Sequence, residues 1–123
     1  IEERKRAELS ALRDRAFLEA IINAISSFVV VKDRDLRWVV ANEAMARWSG
    51  RTPGSARGVL DADVLPAEVT SRTTREDPDV LTSGRSLRDE VQSVSASGER
   101  RWFSKSKSLL RMPDGEVYVI GVS

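Results

Sequence analysis

An apolar strand runs straight into a short amphipathic helix in the segment Val39-Val40-Ala41-Asn42-Glu43-Ala44-Met45-Ala46-Arg47-Trp48-Ser49-Gly50, and the helix stops at glycine. No loop separates the two elements, so a sheet and a helical layer are joined at one point, which narrows the folds open to the chain more than any other segment does.

The rest of the chain is read around that join. From Phe28 the pattern has the period of strands: Phe28-Val29-Val30-Val31 and Trp38-Val39-Val40 flank a polar turn, Lys32-Asp33-Arg34-Asp35, and the pair reads as a hairpin. The first strand is apolar at every position, which predicts cover on both faces of the sheet. Turn residues at Pro53-Gly54 and Gly58, with Pro66 and Pro78 placed as first-turn prolines, predict short helices and loops from Arg51 to Gly84. In the last of these helices Asp77 is the expected cap, Leu81 faces inward and Gly84 ends the helix. Three further strands are expected over Leu87–Ser95, Arg100–Leu110 and Val117–Ser123, separated by Ala96-Ser97-Gly98-Glu99 and by Met112-Pro113-Asp114-Gly115-Glu116. The fold class is α+β: five antiparallel strands, a helical insert after the second, and an amphipathic helix in front.

That front helix carries Leu9, Leu12 and Ala16 at spacings of three and four among charged residues. A second stripe, Leu18, Ile21, Ile22 and Ile25, starts out of step with the first, which predicts a kink or register shift between a connector over residues 1–17 and a domain over residues 18–123. The narrow stripe suits a coiled-coil seam, but it also suits a solvated helix packed on its own domain.

Composition removes whole classes of chemistry. Cysteine and histidine are both absent. Disulfides, thiolate nucleophiles, Cys/His zinc sites and cysteinyl-flavin adducts are therefore excluded, and the common proximal haem ligand is missing. With 20 basic against 19 acidic residues no strong field draws the chain to nucleic acid, and basic and aromatic residues do not alternate on one face. No apolar run reaches the roughly 18 residues of a membrane span. Asp61 and Asp63, or Glu76 and Asp77, invite a reading as acid and base or as magnesium ligands, but turn and cap roles account for them, and no catalytic or metal site is expected.

The order and spacing of Val31-Lys32-Asp33-Arg34-Asp35, Asn42-Glu43-Ala44 leading to Gly50, Gly58 with Asp63-Val64-Leu65-Pro66, Asp77 with Val80-Leu81 and Gly84, Gly98 with Arg101-Trp102-Phe103, and Asp114-Gly115 leading to Ile120-Gly121-Val122-Ser123 resemble the PAS domain, in particular the bacterial sensory-box type of histidine kinases and diguanylate cyclases. The resemblance implies that the first and last strands lie side by side. It also implies that one sheet face lines a pocket under the helical insert, and that the other receives the N-terminal helix or a second subunit. A cytoplasmic, non-enzymatic sensory domain of a signal-transduction protein is expected, homodimeric, with a histidine kinase or diguanylate cyclase effector following it in a parent protein that is free to be membrane-anchored.

Strand alternation puts Phe103, Lys105, Lys107 and Leu109 on one face and Trp102, Ser104, Ser106 and Ser108 on the other. By resemblance the first set faces the pocket, together with Met45, Trp48, Val91, Val119 and Gly121. Two ammonium groups there are costly unless paired, so either an anionic small molecule is held by Lys105 and Lys107, or the lysines reach water or pair with Asp89 or Glu90. Core packing is the plain alternative for the apolar residues. Leu9, Leu12, Ala16, Leu18, Ile21, Ile22 and Ile25 form the expected dimer and signal helix. The alternative function is a ligand-free dimerisation module.

Overall fold

The computed structural model describes residues 2–123, so Ile1 of the expected connector lies outside the described residues. Five strands form one antiparallel sheet: β1 Val29–Lys32, β2 Trp38–Ala41, β3 Leu87–Val94, β4 Arg100–Arg111 and β5 Val117–Val122, in the order β2-β1-β5-β4-β3. The first and last strands are neighbours, as expected, with Val30 opposite Gly121 and Lys32 opposite Val119. β1 is buried on both faces, through Val29 and Val31 on one and Lys32 on the other. The turn before β2 is therefore shorter than its composition predicts, because Lys32 belongs to the strand and not to the polar turn.

Between β2 and β3 lie α2 Glu43–Trp48, α3 Pro53–Ala56, α4 Asp61–Val64 and α5 Ala67–Ser83. Asn42, fully buried, accepts from Met45 N–H at 3.0 Å and so caps α2, and Gly50 follows the helix in the left-handed region at φ 77°. The expected short helix opening at Asp77 is absent. One helix of 17 residues runs through that point with Pro78 inside it, and it ends, as expected, at left-handed Gly84. An internal proline forgoes one backbone hydrogen bond and costs about 3 kcal/mol. Here it is tolerated because Asp77 and Val80, on either side of it, are both buried against the sheet.

The N-terminal helix α1, Glu2–Ala24, is uninterrupted, and none of its residues is buried. The helix runs without interruption through residues 16–18, where a kink or register shift is expected. Its C-terminal end is tied to the domain: Asn42 Nδ2 donates to the Ile22 and Ser27 carbonyls at 3.0 and 2.7 Å, and Glu43 N–H donates to Asn23 Oδ1 at 2.9 Å. Farther up, a groove of about 490 Å³ separates Leu18 and Ile22 from Val39 and Val40 of β2, so α1 does not cover the outer sheet face.

Candidate ligand pocket

The inner face of the sheet and the helical insert enclose a cavity of about 90 Å³. Its apolar wall is set by strand period and helix phase. Val30 and Gly121 face inward from neighbouring strands, Val91 and Phe103 face inward as a cross-strand pair, and Met45 and Trp48 share one side of α2. Phe28, Trp48 and Phe103 form an aromatic triad with centroids 5.2–5.3 Å apart, Trp48 meeting Phe103 edge-on at 84°. Arg101 lies over the Trp48 ring at 5.2 Å.

The other wall is a chain of ion pairs. Lys32 Nζ donates to Asp61 Oδ2 at 2.7 Å and to Asp77 Oδ2 at 2.6 Å; Lys107 Nζ donates to Asp77 Oδ1 at 2.6 Å and lies 3.3 Å from Glu76; Lys105 Nζ donates to both oxygens of Glu76 at 2.6 Å. Trp38 Nε1 donates to Asp61 Oδ1 at 2.6 Å and closes the end. Three ammonium groups alternate with three carboxylates, linking β1, β4, α4 and α5. Burial alone would lower the Lys32 pKa, but the Asp61 and Asp77 charges outweigh it and raise it. Burial likewise pushes Asp61 up, yet Lys32 and the bonds from Lys32, Trp38 and Thr73 hold it below the usual carboxylate range. Glu76 is lowered in the same way by its two lysines. Lys105 goes the other way: burial, aided by Lys107 and Arg72, holds it below its ordinary value despite Glu76.

Of the expected pocket residues, Met45, Trp48, Val91, Phe103, Lys105, Lys107 and Gly121 line this cavity. Val119 does not. It is buried one strand period beyond Gly121, beside Lys32 and under α5. A Cβ built on Gly121 meets Val30 Cγ1 at 3.4 Å, so the close neighbour of this glycine is the adjoining strand. Lys105 and Lys107 face inward, but their partners are Glu76 and Asp77. Asp89 stands opposite Lys105 across the β3–β4 pair and Glu90 opposite Ser104, yet both remain exposed at the edge strand, where water solvates them. Asp61, Glu76 and Asp77 are thus ion-pair partners rather than turn or cap residues. Only Asp63 caps, accepting from Leu60 N–H at 2.9 Å. Three further charged lining residues are not among the expected pocket residues: Lys32, read as part of a polar turn, Asp61, read as a turn or cap residue, and Arg72. A lysine interrupting an otherwise apolar strand was the one signal available, since its charge demands buried partners.

Around the cavity the chain closes on itself. Phe28 N–H donates to the Ser123 carbonyl at 2.7 Å and Ser123 N–H to the Phe28 carbonyl at 2.9 Å, and both residues line the cavity. Asn42 Oδ1 also accepts from Val29 N–H at 3.1 Å, so one side chain holds the end of α1, the start of β1 and the start of α2.

A family model for the PAS fold matches residues 22–123. A curated relative, the uncharacterized protein y4lL of Sinorhizobium fredii, is 31% identical over 111 residues covering 88% of this chain, and the chain spans only 13% of that relative's length. Among solved structures, VqmA of Vibrio cholerae in a complex with ligand and DNA superposes with a TM-score of 0.74 at 16% identity, over 85% of this chain and 48% of VqmA. A domain of a sensory box sensor histidine kinase/response regulator from Geobacter sulfurreducens gives 0.65 at 23% identity, over 89% and 91% of the two chains. A PAS domain from a two-component sensor histidine kinase gives 0.67 at 12%, over 92% and 97%. No helix among the described residues is long and apolar enough to cross a membrane.

Proposed function

The chain belongs to the PAS-fold family, of the sensory type, and on that premise we propose that it is the cytoplasmic input domain of a bacterial signal-transduction protein. In this reading it binds a small molecule in the cavity and passes occupancy to flanking helices and a histidine kinase or diguanylate cyclase effector. The observation that carries the reading is the shared wall: Phe28, which immediately precedes β1 and stands three residues after Ile25, and Ser123, which follows β5, both line the cavity and are hydrogen-bonded to each other. A ligand touching these residues bears directly on the place where α1 meets the sheet, through Asn42 and the Ile22 and Ser27 carbonyls.

The mechanism is a population shift between two arrangements of α1, favoured to different extents by the empty and the occupied cavity. Residues 1–17 act as connector and residues 18–123 as sensor, and the dimer forms through the exposed stripe of α1 and the outer sheet face. Leu9 and Leu12, 66% and 62% exposed, support an intermolecular seam.

One observation favours a second reading, a dimerisation module without ligand. The cavity is small beside the roughly 300–1,000 Å³ of ordinary ligand pockets, and the Phe28, Trp48 and Phe103 rings fill the space around it. Native mass spectrometry of the purified chain, set against the denatured sample, separates the two. A dimer with extra mass that is lost on unfolding supports the sensor. A dimer without added mass, and with no response to any small molecule supplied, supports the module.

A further inference from the structure

The ion chain of the cavity wall is balanced, three ammonium groups against three carboxylates, and so leaves no charge for a ligand to neutralise. Arg72 stands outside that balance. It lies on α5 between Glu68 and Glu76, four residues from each, the positions from which a helical arginine ordinarily draws a carboxylate. Both are engaged elsewhere. Glu68 accepts two bonds from Arg100, at 2.9 and 3.0 Å, and Glu76 is held by Lys105 and Lys107. Arg72 lines the cavity, and among the described residues its Nε is the buried side-chain atom left without a hydrogen-bond partner. A guanidinium does not shed its proton. The cavity therefore presents a fixed positive charge with one unused N–H donor, lining the same space as the aromatic triad.

Resting on the reading of this cavity as a ligand site, the geometry points to a compact organic monoanion as its occupant, with a carboxylate or equivalent acceptor on Arg72 Nε and a short alkyl body against Phe28, Trp48 and Phe103. Lys105 and Lys107 are wall, not anchor. At about 90 Å³ the space is smaller than the roughly 150 Å³ apolar cavity that admits benzene, which limits the occupant to about six non-hydrogen atoms or fewer. A charge-assisted bond to a guanidinium whose Nε is buried discriminates against a neutral isostere of the same shape, which offers that donor a weaker acceptor.

The test is an NMR titration of the ¹⁵N-labelled chain with propionate and butyrate, and with propionamide and butyramide as neutral isosteres, repeated on Arg72→Gln. Carboxylates are expected to bind at least about tenfold more tightly than the amides, to shift the Arg72 Nε–H resonance, and to lose at least about tenfold in the variant. The thermal midpoint of the variant is expected to stay close to that of the parent, since Arg72 makes no ion pair. Amides binding as tightly as carboxylates, or Arg72→Gln keeping the preference, overturns the anion assignment and leaves the sensor reading standing. No response of cavity resonances to any of the four compounds overturns the assignment and counts against the sensor reading with it. Should Arg72→Gln fail to fold, the parent's Nε–H resonance decides alone: if it does not move while a carboxylate binds, the assignment is wrong.

Discussion

Lys32 Nζ donates to Asp77 Oδ2 at 2.6 Å across 45 positions of sequence, joining the second-from-edge strand to the long helix of the insert with both side chains almost wholly removed from water. Such a pair is sustained by complete pairing of every partner rather than by attraction between two isolated charges. Asp77 is also held by Lys107, and Lys32 also by Asp61, so removing any single member leaves an uncompensated charge in the wall.

Lys32→Met is expected to destabilise the fold by about 3–5 kcal/mol, the usual cost of breaking a buried pair. Chemical denaturation reads this as a lower midpoint at unchanged slope. Arg100→Ala, which breaks a surface pair with Glu68 whose side chains are half-exposed, is the comparison and is expected to move the midpoint little. Equal effects from the two variants would show that the buried chain has no special weight. The same reasoning makes Lys105→Met with Lys107→Met a poor probe of ligand binding, because Glu76 and Asp77 would lose partners.

Stability is expected to fall in acid. Asp61 and Glu76 titrate below their ordinary values of 3.8 and 4.5. Their contribution is therefore complete above those values and is lost as pH drops through the lower folded ones. In alkali the two shifted lysines oppose each other. Lys32, raised above 10.5, contributes stability that is present below that value and lost as pH climbs through its folded one, whereas the lowered Lys105 carries a penalty that is relieved as pH rises toward 10.5. Thermal midpoints are thus expected to decline steeply below about pH 4 and to change less near pH 10. A flat acid limb would contradict this.

Asn42→Ala removes a helix cap and orphans the buried Val29 N–H, together about 2–4 kcal/mol. It also releases the Ile22 and Ser27 carbonyls. Hydrogen exchange is expected to speed up first in residues 18–27, ahead of the sheet. Exchange that accelerates uniformly would mean that Asn42 does not anchor α1 separately.

The proposed seam predicts that Leu9→Glu with Leu12→Glu converts a dimer to a monomer in light scattering while circular dichroism of the sheet stays unchanged. A dimer that survives both changes moves the interface to the outer sheet face, where Trp102 is 74% exposed.

Gly121→Leu directs a side chain toward the cavity from β5, its Cβ meeting Val30 Cγ1 at 3.4 Å. It is expected to keep the fold, to cost about 1–3 kcal/mol for overpacking, and to abolish any extra mass seen in native spectra. Retention of that mass would place the ligand elsewhere.

Local sequence determined the elements of this protein. Apolar or alternating runs marked all five strands, Pro-Asp-Gly and Ser-Gly-Glu marked two hairpins, Gly50 and Gly84 marked helix ends, and the shared face of Phe103, Lys105 and Lys107 follows from a period of two that holds along any strand. Only the tertiary structure decided the partners. Glu76 and Asp77 meet the lysines because α5 continues through Pro78 and lies across β4 and β5, an outcome of burial that no local propensity contains. The place of Lys32 between Asp61 and Asp77 in a buried charge chain, and that of Arg72 between two glutamates engaged by other cations, are long-range facts of the same kind. They depend on which charges are brought within about 4 Å of one another once water is excluded, and spacing along the chain does not encode that distance.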